Sequence, residues 1–294
     1  MKKGLLLLKI AFSITLIFVL SRKFSLAEAG THLLHLRMGP AIGALLLLGL
    51  SLALSGLRWH YASGQLITLP VCLRFTWISQ LYALVLPGAL SADVAKGLVM
   101  TAKKESSCGR SLSTSIILDR VAGLGSLLVF GFLSCLSRPQ LLHLPPGVLV
   151  ALSAFGTLAL VALPWVLNHF FPRLTISPRT WFLVLGLSGL IHAVNISFYC
   201  VSLAAVGGSE SWWQMGIYTC LLNLAMLLPI SIGGIGLREQ IAVSLFQSSA
   251  NAPAQIAFGW LVLFLSILHG LIGLALHWQP TEPSKELVSA GDIG

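Results

Sequence analysis

Charge is what this chain has least of. Asp, Glu, Lys and Arg make up 9% of its 294 residues, whereas a soluble domain carries about 25%. With 56% hydrophobic residues and a mean hydropathy of +0.90, the composition excludes a soluble globular protein. It is that of an all-α, polytopic membrane protein. Acidic residues are the scarcer sign, nine against eighteen Lys and Arg, for a net charge of +9. That excess does not point to nucleic acid, because the basic residues form no solvated patch with interleaved aromatics. They fall mostly in short segments between apolar runs, as the positive-inside rule expects, and membrane lipids are their natural partners.

Other absences narrow the chemistry. The five cysteines (Cys72, Cys108, Cys135, Cys200 and Cys220) are odd in number and make no C-x-x-C pair. They read as small residues packed between helices. His32 and His35 form a pair, but there is no H-E-x-x-H and no Cys/His cluster, so no metal site is expected. Gly233-Gly234-Ile235-Gly236 lacks the rest of a G-x-G-x-x-G pattern and any following Lys-Ser/Thr. Nucleotide binding is rejected on that ground, and no cofactor is expected.

What is present is a series of long apolar runs. Six are read as full transmembrane helices, at about 4–20, 39–57, 112–136, 147–167, 181–206 and 254–277, since a crossing takes about 20 residues. Ala27-Glu28-Ala29 resembles a signal-peptide cleavage site, but it lies well beyond the first apolar run, which Arg22 and Lys23 close. Gly39-x-x-x-Gly43 could bring helices close. Trp77, Trp181, Trp212 and Trp213 read as interfacial anchors. Asn195-Ile196-Ser197 matches a glycosylation sequon, but mid-span and out of reach. Asn223 and Gln80 suit either a cavity wall or helix–helix hydrogen bonds. Residues 278–294 read as a disordered cytoplasmic tail.

Two further elements are interrupted. About 75–90 is short for a span, breaks at Pro87-Gly88 and resumes with Asp93 and Lys96. About 212–249 breaks at Pro229 and loosens through Gly233, Gly234 and Gly236 before Arg238 and Glu239. Broken backbone and charge among apolar spans are costly and mark function. Reading both as re-entrant hairpins gives three spans and a hairpin in each half, 1–137 and 147–277 of one membrane domain (1–277). An odd number of crossings per half inverts the second half, with both termini cytoplasmic in a bacterial-type inner (plasma) membrane. Eleven basic residues then lie inside (Lys2, Lys3, Arg58, Arg74, Lys96, Lys103, Lys104, Arg110, Arg173, Arg179, Lys285) and four outside (Arg22, Lys23, Arg37, Arg138), the expected bias. The segments 83–96 and 225–238 share an apolar–Pro–small–charge order. Pro229 and Arg238 follow Pro87 and Lys96 by the same 142 residues, the kind of internal match seen at transporter midplane sites.

Asp93, Lys96, Asp119, Arg120, Arg238 and Glu239 fall in or beside these elements. Each would cost roughly 2.5–3.5 kcal/mol exposed at mid-span. Three acids against three bases could simply pair and hold the halves together. The alternative, favoured here, is a polar cavity that receives a lipid headgroup. Arg238 is the foremost candidate, because a guanidinium suits a phosphodiester and the helix beginning near Leu237 would offer free N–H groups.

The segments LPGALSADVAKG (86–97), SIILDRVAGLGSLL (115–128) and LLPISIGGIGLREQ (227–240) resemble, in order and spacing, the lysylphosphatidylglycerol synthase transmembrane, or flippase-like, family. The first segment departs from the family, which usually has Gly-Gly-Asp where Ser91-Ala92-Asp93 stands and Arg where Lys96 stands. The resemblance implies a membrane domain that moves or handles phospholipids or polyprenyl-linked lipids. In multidomain members a soluble aminoacyl-transferase domain follows, and nothing but a short tail follows Gln279 here, so no aminoacyl transfer is expected. Lipid translocation is the leading reading. A membrane-embedded lipid-modifying enzyme using Asp93, Asp119 or Glu239 as acid or base is the second. A non-catalytic assembly subunit, in a homo-oligomer or with a lipid-biosynthesis partner, is the third.

Overall fold

The computed structural model describes residues 25–65, 67–85, 106–139, 144–170, 177–227, 231, 233–246 and 252–278. Among them are nine helices and no strand, as a chain that must satisfy its backbone within a bilayer requires. In chain order they are α1 (Leu26–Leu34), α2 (Met38–Ala62), α3 (Leu69–Val85), α4 (Ser106–Cys135), α5 (Pro146–Phe170), α6 (Pro178–Ala205), α7 (Trp212–Leu227), α8 (Leu237–Leu245) and α9 (Ala252–His277). Five are long and apolar enough to cross a membrane: α2, α4 over Ser115–Cys135, α5 over Pro146–His169, α6 and α9. They coincide with five of the six expected spans. The sixth, at 4–20, and the tail at 278–294 lie outside the described residues save Trp278. The chain is an integral membrane protein.

Of the four shorter helices, three fall in the interrupted elements. α3 has 17 residues, α7 has 16 and α8 has 9, all under the ~20 that a crossing takes. α7 and α8 are separated by the glycine turn. The first break, at Pro87-Gly88, lies outside the described residues, as do Asp93, Lys96 and Pro229.

α2 and α6 form the centre. Gly43 faces Val201, Ser51 Oγ donates to Asn195 Oδ1 at 2.7 Å, and Arg58 Nη1 donates to Ser188 Oγ at 3.2 Å. As residue number rises on α2 it falls on α6, so the pair is antiparallel. At one end the Arg37 N–H donates to the Ala205 carbonyl at 2.9 Å, and His32 Nδ1 meets the Val206 carbonyl at 3.0 Å. Among the described residues nothing lies within 4 Å of a Cβ built on Gly39, and of the Gly39-x-x-x-Gly43 pair it is Gly43 that meets a neighbouring helix. Close packing falls elsewhere: Gly273 of α9 lies against the Trp77 carbonyl of α3, and Gly131 of α4 lies against Cys220 of α7. Small residues let helix backbones approach where lipid gives no hydrophobic drive.

α3 packs on α2 and α9, and α7 packs on α6 and α4. α5 lies against α4 and leaves Phe155, Leu158 and Trp165 exposed on an apolar outer surface. Trp181 is not the interfacial anchor the sequence suggested. It is 1% exposed, and its Nε1 donates to the Leu160 carbonyl of α5 at 2.7 Å. That carbonyl is free because Pro164, four residues on, has no N–H to offer it.

α1 was not foreseen as an element. Ser25 caps it by accepting from the Glu28 N–H at 3.2 Å, and Ala29 is buried within it. Ser25-x-x-Glu28 is the pattern of a capping box, a signal already present in the sequence.

Candidate functional site

Two buried polar clusters stand among the helices. The first joins α2, α4 and α6. Arg58 Nε donates to Asp119 Oδ1 at 2.8 Å, with both side chains largely out of solvent. Its Nη1 lies so near Gly123 that a Cβ there would come to 3.0 Å. One turn on, His192 Nε2 is 3.0 Å from the Gly123 carbonyl and 3.1 Å from Ser126 Oγ, and Ser51 and Asn195 continue the line. Arg58 was expected among the loop charges at the end of its span. Instead it sits inside the bundle, drawn in by Asp119. Arg120, beside Asp119, is half-buried. Asn195 faces α2 and offers no sequon to solvent.

The second cluster lies where α7, α8 and α9 meet. Gly233, Gly234 and Gly236 have φ of 57°, 75° and 81°, values that L side chains adopt only at a cost. They turn the chain tightly enough for the Leu237 and Arg238 N–H groups both to donate to the Gly234 carbonyl at 3.2 Å. The expectation of free N–H groups at this helix start is corrected accordingly: the first two are taken. A Cβ on Gly233 would stand 3.2 Å from the Leu84 carbonyl, so the turn touches the end of α3 backbone to backbone.

Arg238 folds back over that turn. Its Nε would lie 3.0 Å from a Cβ on Gly234, with Met226 of α7 close by. The residue is 7% exposed, yet Nε and Nη1 have no hydrogen-bond partner among the described residues. Glu239, 2% exposed, points to α9, where Gly259 leaves a notch for its carboxylate. The N–H groups of Gly236 and of Glu239 itself lie beside that carboxylate, while Oε2 has no partner among the described residues. Tyr218 reaches the Arg238 carbonyl with its hydroxyl at 3.5 Å. Tyr199, Phe246 and Phe258 close around Tyr218.

Of the six charged residues singled out, the structure therefore brings Arg238 and Glu239 together and sets Asp119 in a separate cluster with a different base. Asp93 and Lys96 fall outside the described residues. Asn223 spends its amide on the Thr219 carbonyl of its own helix, at 2.8 Å. No group of three metal-ligating side chains occurs among the described residues.

The family described as "Lysylphosphatidylglycerol synthase TM region" matches residues 6–273, nearly the whole chain. The protein belongs to that family. The match spans every described helix but the last few residues of α9, and so includes both polar clusters. Among curated proteins nothing matches the chain.

Proposed function

We propose that this member of the family is a lipid translocase, and that Arg238 receives the lipid phosphate while the acyl chains stay in the bilayer. The observation that carries the reading is the buried guanidinium, two of whose nitrogens have no partner among the described residues. A buried charge left without a partner costs several kcal/mol, and the same fold pairs Arg58 with Asp119 directly. A phosphodiester supplies what Arg238 lacks, through charge-assisted hydrogen bonds in fork geometry.

The packing supports an inverted two-fold relation between the halves. In that relation α2 corresponds to α6, α3 to α7 and α4 to α9. Equivalent helices then run oppositely where they meet, as α2 and α6 do. Each half's interrupted element leans on its own second span and on the other half's last, as α3 does on α2 and α9 and α7 does on α6 and α4. With Arg58 moved into the bundle, ten basic residues against four still favour a cytoplasmic location for both termini.

In proteoliposomes the purified protein should speed the crossing of a labelled phospholipid between leaflets, and Arg238→Gln should slow that crossing roughly tenfold or more. Failure of the folded protein to accelerate any lipid of a broad panel over protein-free vesicles would overturn the reading.

A further inference from the structure

The Arg238 site has a second half. Glu239 is the next residue on the same helix, it is more deeply buried than Arg238, and its Oε2 is also without a partner among the described residues. Neighbouring helix positions do not face each other. Arg238 accordingly turns to the glycine turn and Met226, Glu239 turns to the Gly259 notch of α9, and the two form no ion pair. The fold thus holds one cation and one anion on adjacent residues, each with an unfilled hydrogen-bonding position and, though within electrostatic reach of each other, with no direct ion pair between them.

Resting on the lipid reading above, we infer that the site takes a zwitterionic headgroup, a phosphodiester with one ammonium on a short tether, with the phosphate on Arg238 and the ammonium on Glu239. Charge balance selects it. A headgroup with only a phosphate satisfies Arg238 but places a second anion near a buried carboxylate whose Oε2 stays unfilled, which low dielectric makes costly. A headgroup with only cationic groups reverses the problem at Arg238. A ligand with one charge of each sign satisfies both and brings no net charge into the site. An ethanolamine phosphate has this pattern, with an ethylene unit between its charges and N–H donors for Glu239 Oε2. Its trimethylated counterpart keeps the charges and loses the donors.

The test is lipid retention by the full chain in detergent, read by native mass spectrometry, with equimolar phosphatidylethanolamine, phosphatidylcholine and phosphatidylglycerol. The wild type should retain phosphatidylethanolamine over phosphatidylglycerol roughly tenfold, with phosphatidylcholine between them. Glu239→Gln should abolish that preference while phosphatidylglycerol is still held, and Arg238→Gln should weaken retention of all three. Equal retention of the three lipids by the wild type, or a preference for phosphatidylglycerol, overturns the inference whether or not the variants fold. An unchanged preference in a folded Glu239→Gln protein does the same. Translocation is measured separately. Equal crossing and equal retention of all three lipids leave the transport reading standing and sink this one, whereas selective retention without crossing does the reverse.

Discussion

Arg58 carries more information than its position in the chain suggests. Four residues from the end of α2, it looks like the flanking charge that closes a span, yet it lies in the interior against an acid 61 positions away. Removing one partner of such a pair strands a buried charge, which costs roughly 3–5 kcal/mol, whereas an apolar replacement of both is often neutral. Arg58→Met and Asp119→Leu should each lower the thermal unfolding midpoint in detergent by several degrees, and the double substitution should recover most of it. Midpoints that simply add would refute the pairing as a stabilising unit. Trp181 gives a second test. Trp181→Phe leaves the Leu160 carbonyl unbonded in an apolar surround, for about 1–3 kcal/mol. Adding Pro164→Ala returns the missing N–H and should restore much of that stability.

Glu210 lies outside the spans, in the loop between α6 and α7. Burial pushes its carboxyl above the ordinary 4.5, and the Arg138 guanidinium opposes the shift. Gln214 bridges the two, with its amide oxygen toward Arg138 and its nitrogen toward Glu210. A carboxyl raised on folding binds its proton more tightly in the native state. Its contribution is full below pH 4.5 and is lost as pH rises through the folded value. Unfolding midpoints measured from pH 4 upward should therefore fall less steeply in Glu210→Gln than in the wild type.

At the scale of elements, the turn at 233–236 sets three glycines at positive φ within four residues. Gly233→Ala and Gly236→Ala each force a side chain into the left-handed region, at roughly 1–2 kcal/mol. Gly233→Ala also drives a methyl toward the Leu84 carbonyl. Both should slow lipid crossing while the protein still inserts, Gly233→Ala the more. Much of this element could be read in advance, because proline, closely spaced glycines and charge among apolar runs already specify a break. The spans were legible for the same reason, since their length and composition are set by the bilayer and not by their neighbours. The polar seam was not legible. Arg58, Ser188, His192 and Ser126 are ordinary residues in their local windows, and only antiparallel packing of α2 on α6, with α4 beside them, makes them a cluster. The open positions on Arg238 and Glu239 were equally hidden, since counting three acids against three bases cannot reveal which of them meet.

For the molecule as a whole, the proposed inversion makes a directional prediction. Single cysteines at Ser91 and Ser231, one in each interrupted element, should be labelled by a membrane-impermeant reagent from opposite faces. Labelling of both from the same face would refute the inverted relation. Membership of the family does not depend on that outcome, because the match over 6–273 holds for either topology.

The contact between Gly233 and the Leu84 carbonyl bears on how such a protein could work. Side chains yield to a push by changing rotamer, and two main chains in direct contact cannot. With no methyl between them, the glycine turn and the end of α3 meet without a side chain that could absorb a displacement. The guanidinium rides on that same turn. Were Arg238 to hold a headgroup as proposed, a shift of the turn on binding would reach the end of α3 with no side chain between them.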